Sequence, residues 1–175
     1  MQKSLSEAQL VVVELGAEWP SAALGVTSRK RRVLVQDESE SPAAFAVRVG
    51  EQLNALHADE FALSSTVLAC SERLDQQARG ARAEIARAAA NSLARHRGGE
   101  LELVATDRNS GRSRPALSAL VSELSKEWQG AAVVATLRFA SESAEDQDAQ
   151  EPSAEAKSRT RSRRAKSKDS VRRVA

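Results

Sequence analysis

The chain has 175 residues, enough for one domain of roughly 140 residues with a buried core and a tail. Its single cysteine, Cys70, cannot form an internal disulfide, and no apolar run reaches the roughly 20 residues of a membrane helix. Glu7 and Gln9 interrupt the apolar segment that a secretory signal would need near the start. These features argue against the disulfide-stapled and membrane-spanning classes and predict a cytoplasmic protein with no membrane partner.

The net charge of +2 hides a strong segregation of charge along the chain. Residues 1–140 carry 17 basic and 17 acidic side chains, residues 141–156 carry acidic side chains only, and residues 157–175 are basic apart from Asp169. The last 35 residues offer little apolar surface to offset the entropy lost on ordering. We therefore predict a single domain over residues 1–140 and a disordered tail over residues 141–175, acidic over 141–156 and basic over 157–175.

The first third of the chain contains two short β-branched runs. Residues 9–15 (QLVVVEL) are apolar on both faces, which is typical of a buried strand, and residues 31–36 give a second strand. Between them, Trp19-Pro20 and Gly25 argue against a long helix, and residues 23–27 fit either a short strand or a loop. The pattern leaves open whether the first strand is parallel or forms an antiparallel hairpin with the second.

Two helices and a strand follow. Ser41-Pro42 is a helix-start signal, and the apolar spacing predicts a helix over residues 42–57. A strand is expected within residues 61–70, and the longest helix is expected to open at Ser71-Glu72 and stop at Gly98-Gly99. The pattern places the arginines of that helix, Arg82 among them, away from its apolar stripe.

The most regular stretch is residues 99–128, which combines a strand, a basic loop and an amphipathic helix. Apolar residues alternate over 101–106, and residues 131–139 form the last strand. Alternation of strands and helices is typical of right-handed crossovers over a parallel sheet. The predicted fold is a three-layer α/β/α with a mostly parallel sheet of about five strands and three intervening helices.

The strongest chemical hypothesis is an anion-binding site in the loop 107–114. Its arginines offer forked donors, its glycine allows close backbone approach, and the helix expected to open near residues 113–115 presents free amides. We predict that a nucleotide or another phosphate ligand binds here, and the alternative is a solvated turn that caps a helix. The candidate cofactor-binding residues are Arg108, Ser110, Gly111, Arg112, Ser113 and Arg114, with the cofactor unknown.

Residues 83–139 resemble the universal stress protein family, whose last helix–strand–loop–helix–strand passage has a similar plan. The resemblance implies a nucleotide-holding loop after the strand at residues 101–106. That family's loop is built on several spaced glycines and a Gly-Ser or Gly-Thr pair, whereas Gly111 is the only glycine in this loop. The residues themselves therefore predict an anion-binding surface without specifying the ligand.

Other chemistry-bearing residues give weaker signals. Asp37, Glu38 and Glu40 fit either a Mg²⁺ site or a solvated acidic loop, and Cys70 fits a buried apolar side chain better than a nucleophile. His57 and His96 lie at predicted helix ends, with no partner at ligand spacing, so the pattern predicts no metal site. Since no acid–base pair stands out from surface charge, the pattern favours a non-enzymatic domain and names no catalytic residue.

The basic tail is the second functional candidate. Lysines and arginines without aromatic neighbours bind polyanions by counterion release and read no sequence. The alternative to this nucleic-acid binding is a solubilising tail, and a homodimer through an exposed strand edge is also left open. The candidate nucleic-acid residues are Lys157, Arg159, Arg161, Arg163, Arg164, Lys166, Lys168, Arg172 and Arg173.

Overall fold

A computed structural model describes residues 7–24, 30–58, 62–106 and 110–140. Within these ranges one sheet has the strand order β2-β1-β3-β4-β5, and every pairing is parallel. The predicted α/β fold with a parallel sheet is therefore confirmed, and the first strand is parallel to both of its neighbours. The strands are β1 (Glu7–Val13), β2 (Lys30–Val35), β3 (Ala62–Ala69), β4 (Gly99–Thr106) and β5 (Val133–Ala140).

Helices connect successive strands. They are α1 (Ser21–Leu24), α2 (Pro42–Ala58), α3 (Gln76–Arg95) and α4 (Ser110–Glu127). The Ser41-Pro42 start signal is confirmed, since the Ala44 amide donates to Ser41 Oγ at 3.2 Å. Residues 23–24 belong to the single turn of α1, and residues 25–29 lie outside the described part of the chain.

Two helices begin at positions that differ from the sequence prediction. Helix α3 starts at Gln76, because Asp75 caps it by accepting a hydrogen bond from the Ala78 amide at 3.0 Å, whereas the Ser71 amide is bound by Glu14. Helix α4 starts at Ser110, before the expected 113–115. Its second turn therefore contains Pro115, which has no backbone N–H, so the helix lacks one hydrogen bond there.

The two faces of the sheet are covered unequally. Helices α2, α3 and α4 pack on the face that carries Leu10 and Val12, whereas Leu24 of α1 packs on the face that carries Val11 and Val13. This unequal covering follows from right-handed crossovers. The connection from β1 to β2 moves along the sheet in the opposite direction to the later connections, so its helix lies on the opposite face. Among the described residues, the third layer is thus formed by 17–24 alone.

The end of α3 turns sharply into β4. His96 is the C-cap, and its amide donates to the carbonyls of Leu93 and Ser92. The next residues, Arg97 and Gly98, have φ of 82° and 96°, and a Cβ on Gly98 would collide with the Ala132 carbonyl. Glycine is therefore required here for both conformation and close approach, as the stop signal predicts.

The predicted tail and the domain boundary at residue 140 lie at or beyond the end of the described residues, so both stay predictions. Among the helices of the described part, none combines the length and the apolar character that crossing a bilayer requires.

Candidate functional site

The direction in which successive strands are added to the sheet reverses at β1, because β2 lies on one side of it and β3 to β5 lie on the other. In parallel sheets of this kind, ligands bind beyond the carboxyl ends of the strands at that reversal. Glu14 directly follows β1, and Cys70 and Ser71 directly follow β3. These residues occupy the position where a ligand of this fold would be expected.

That position is filled by a buried ion pair, which we call the Glu14–Arg82 pair. Arg82 of α3 donates from Nε to Glu14 Oε1 and from Nη2 to Glu14 Oε2, both at 2.7 Å. The Ser71 amide and hydroxyl donate to Oε2 at 2.8 and 2.9 Å. The side chains are only 2% and 8% exposed, so the carboxylate is neutralised and satisfied within the protein.

The same contacts also bind the loop after β3 to α3. Arg82 Nη2 donates to the carbonyls of Ser71 and Arg73 at 3.1 and 3.3 Å. Burial alone would lower the pKa of Arg82, but the hydrogen bonds and negative charge of Glu14 outweigh it and raise the pKa. The free space beside the pair is about 10 Å³, the size of one water molecule. Among the described residues, the space beside the closed pair is too small for a nucleotide.

Cys70 lies beside this pair and is fully buried. Burial raises the pKa of its thiol far above the ordinary value, and the negative charge of Glu14 raises it further. A thiol held neutral is a poor nucleophile. The interpretation of Cys70 as a small apolar core residue is therefore confirmed.

The predicted anion loop 107–114 is mostly helical. Ser110, Gly111, Arg112, Ser113 and Arg114 form the first turn and a half of α4, and residues 107–109, with Arg108, lie outside the described part. Ser113 is buried, and the Arg114 guanidinium stacks on the Phe139 ring at 4.2 Å from its centroid. Arg112 is exposed, and its guanidinium pairs with none of the described residues.

A groove of about 240 Å³ lies between α3 and α4. Arg112 precedes Ala116 by one turn, and Ala116 precedes Leu120 by one turn, so these three residues share one face of α4. Arg79 stands in the first turn of α3, at the end of the groove nearest the carboxyl edge of the sheet. The groove is lined by Arg79, Arg82, Ala83, Ala116, Leu117, Ala119, Leu120 and Glu123.

The acidic loop 37–41 forms local contacts. Arg48 donates to both Glu40 carboxylate oxygens, at 2.8 and 2.7 Å, and these hydrogen bonds lower the pKa of Glu40. The Ser39 amide donates to Asp37 at 2.9 Å and lowers the pKa of Asp37. In the part of the chain that the structure describes, no three His, Cys, Asp or Glu side chains cluster as metal ligands would.

The structure brings together two residues that sequence spacing keeps apart. His57, in the last turn of α2, and His96, at the end of α3, approach to 3.3 Å between Nδ1 and Nε2. Their spacing along the chain gave no sign of this contact, and the prediction of no metal site stays a prediction. Packing of α2 against α3 creates this pair, and no short sequence motif predicts it.

Glu14 and Arg82 are the other residues that sequence reasoning missed. The available signal was a carboxylate at the end of an otherwise apolar strand, since such a buried charge requires a counter-charge. The basic residues of the tail, from Lys157 to Arg173, lie outside the described residues, and their predicted role is untested.

Comparison with known proteins gives no family for this chain: no family model matches it, and no curated protein matches it.

Proposed function

We propose that this chain is a non-enzymatic α/β binding or regulatory domain that holds a phosphate-bearing ligand at the start of α4. The observation that supports this most directly is the groove between α3 and α4, which has a volume of about 240 Å³ and Arg79 on its wall. The usual ligand position of the sheet is filled by the Glu14–Arg82 pair, so the neighbouring groove is the better candidate.

The charge at the end of the groove nearest the carboxyl edge of the sheet favours an anion, and Glu123, which also lines the groove, is paired with Arg87. Helices α3 and α4 follow β3 and β4 directly, so both begin at the carboxyl edge of the sheet and direct their positive dipole ends there. Arg79 and Arg112 stand in the first turns of these helices, and neither guanidinium pairs with a described residue. Two arginines and the free amides of α4 would together bind a phosphate group.

The wall of the groove favours a ligand with an apolar part. Ala83, Ala116 and Leu120 give it small, apolar sides that could contact a flat ring. Its volume lies just below the roughly 300 Å³ at which ordinary ligand pockets begin. A mononucleotide with its phosphate outside the groove, at the helix ends, fits this arrangement.

The proposal retains part of the predicted site. It uses Arg112 and the backbone of Ser110 and Gly111, and it does not use Arg114, which stacks on Phe139, or the buried Ser113. The resemblance to universal stress proteins stays a prediction. The non-enzymatic assignment is supported by the neutral, buried Cys70 thiol and by the fully paired Glu14 carboxylate.

The proposal is tested by thermal shift and calorimetric titration with ATP, AMP and inorganic phosphate. We expect a nucleotide to raise the Tm, and Arg112→Ala to weaken its binding about tenfold, the loss of one charge-assisted hydrogen bond. Lys126→Ala is the matched control, because it removes the same charge from the other end of α4. The proposal fails if no nucleotide binds at millimolar concentration, or if both variants weaken binding equally.

A second function is supported by the composition of residues 157–175. We propose that this segment binds polyanions such as nucleic acid without reading sequence, because it carries nine basic residues against one acidic residue. In a chain lacking residues 157–175, retention on heparin and on DNA should fall sharply, and retention by the full chain should fall steeply with salt. Equal retention of the two chains would contradict the proposal.

A further inference from the structure

His57 and His96 form a compact pair at the ends of two packed helices. Their rings meet edge to face, with centroids 5.0 Å apart and planes at 67°. His57 is exposed and His96 is half-buried, so an ion from solvent can reach the pair. The two nitrogens that face each other, Nδ1 of His57 and Nε2 of His96, are 3.3 Å apart.

This separation is long for a hydrogen bond and correct for two ligands of one metal ion. Nitrogen donors in proteins lie mostly within about 2.7–3.2 Å of their acceptors. Two imidazole nitrogens bound to a tetrahedral zinc ion at about 2.0–2.1 Å stand about 3.3–3.4 Å from each other. The two facing nitrogens therefore already stand at the spacing that a shared ion requires.

We propose that His57 and His96 form a binding site for a divalent transition-metal ion of the Zn²⁺ and Cu²⁺ class. His57 binds through Nδ1 and His96 through Nε2. Imidazole is a good ligand for both ions, and the hard ions Mg²⁺ and Ca²⁺ prefer oxygen. Among the described residues, no third His, Cys, Asp or Glu joins the pair.

The local charge supports a cation there, with one opposing contribution. Helices α2 and α3 both end at the pair, so the negative ends of two helix dipoles point at it. Burial lowers the pKa of His96, and the charges of His57 and Arg95 lower it further. The positive charge of Arg95 also repels the ion and weakens its binding.

Binding requires a change of tautomer and no net loss of a proton. When one of the two facing nitrogens of the free pair carries a proton, it donates a long hydrogen bond to the other. The ion takes the place of that proton, and the donating ring becomes protonated on its other nitrogen instead. The bound ion then links the end of α2 to the end of α3 and stabilises the folded chain by mass action.

The full-length chain allows a clean test, because it contains two histidines and one cysteine, and that cysteine is buried. We expect Zn²⁺ to move the NMR signals of His57 Nδ1 and His96 Nε2 together, with saturation at one ion per chain. In competition with a chromogenic chelator, His57→Ala and His96→Ala should each weaken Zn²⁺ binding about tenfold or more, and Cu²⁺ should bind more tightly than Zn²⁺.

The matched control is Glu84→Gln, which removes an exposed carboxylate from the middle of α3 and should bind Zn²⁺ like the unchanged chain. Because His96 is a helix cap, its variant is first checked for folding by circular dichroism. If the His96 variant is unfolded, the variant at the exposed His57 decides the result. The proposal is overturned if millimolar Zn²⁺ leaves both imidazoles unmoved, if only one histidine is required, or if neither variant loses affinity.

Discussion

Arg79 and Arg82 lie less than one turn apart on α3, but one is exposed and the other is buried. Arg82 is 2% exposed and bound by Glu14, whereas Arg79 is exposed and lines a groove whose carboxylate, Glu123, is paired with Arg87. The side chains are chemically identical, so the source of the counter-charge makes the difference. The fold supplies the anion for Arg82, and we propose that a ligand supplies it near Arg79.

The largest effect is expected from Arg82→Ala. It leaves the Glu14 carboxylate buried without its cation, and breaking a buried pair in this way costs about 3–5 kcal/mol. Urea denaturation should show the loss as a lower midpoint. The double variant Glu14→Leu, Arg82→Met should recover most of it, because no uncompensated charge remains. A single variant as stable as the unchanged chain would contradict the structural role assigned to this pair.

Arg79→Ala should separate binding from stability. We expect the proposed phosphate-bearing ligand to bind about tenfold more weakly, since one charge-assisted contact is lost. The free energy of unfolding should change by no more than about 0.5 kcal/mol, as for other exposed sites. Calorimetry and urea denaturation on the same sample measure both quantities. A strong loss of stability with unchanged affinity would reverse the distinction between the two arginines.

A smaller effect is expected from Asp75→Ala, which removes the cap that fixes where α3 begins and hence which arginine points inward. The hydrogen bond from the Ala78 amide lowers the pKa of Asp75 below its ordinary 3.8. Its stabilisation is therefore present above that pH and is lost as the pH falls through the lower folded value. The Tm difference from the unchanged chain should be modest at pH 7 and shrink below pH 3.8. A difference that grows on acidification would contradict this assignment.

The smallest effect is expected from Arg87→Ala. Arg87 reaches Glu123 at 3.5 Å and Glu127 at 3.8 Å, and all three side chains are about half exposed or more. Exposed pairs of this kind contribute about 0–1 kcal/mol. Urea midpoints of the two chains should therefore nearly coincide, and a loss as large as that of Arg82→Ala would show that exposure does not distinguish the arginines of α3.

Local patterns predicted the elements well. The apolar runs located all five strands, and Ser41-Pro42 located the start of α2, because these features depend on neighbouring residues. The start of α3 was missed because Ser71 is held by Glu14, which is 57 positions away. A cap that competes with such a distant contact cannot be recognised from the residues around it.

Pairs distant in sequence were beyond the reach of these patterns. Arg82 was assigned to the solvated side of its helix because arginine is charged, and its burial depends on Glu14, 68 positions earlier. The His57–His96 pair likewise arises only when α2 packs on α3. The start of α4 differs from the prediction for a local reason, because the helix extends back to Ser110 despite Pro115.

The central position of β1 has a consequence for the order of folding. As the chain is synthesised, β1 emerges before either of its neighbours, yet it must pair with β2 on one edge and with β3 on the other. At about 5–20 residues per second, its β3 edge stays open for several seconds until residues 62–69 appear. During that interval an apolar strand presents an unpaired edge, which exposes the nascent chain to pairing with another strand.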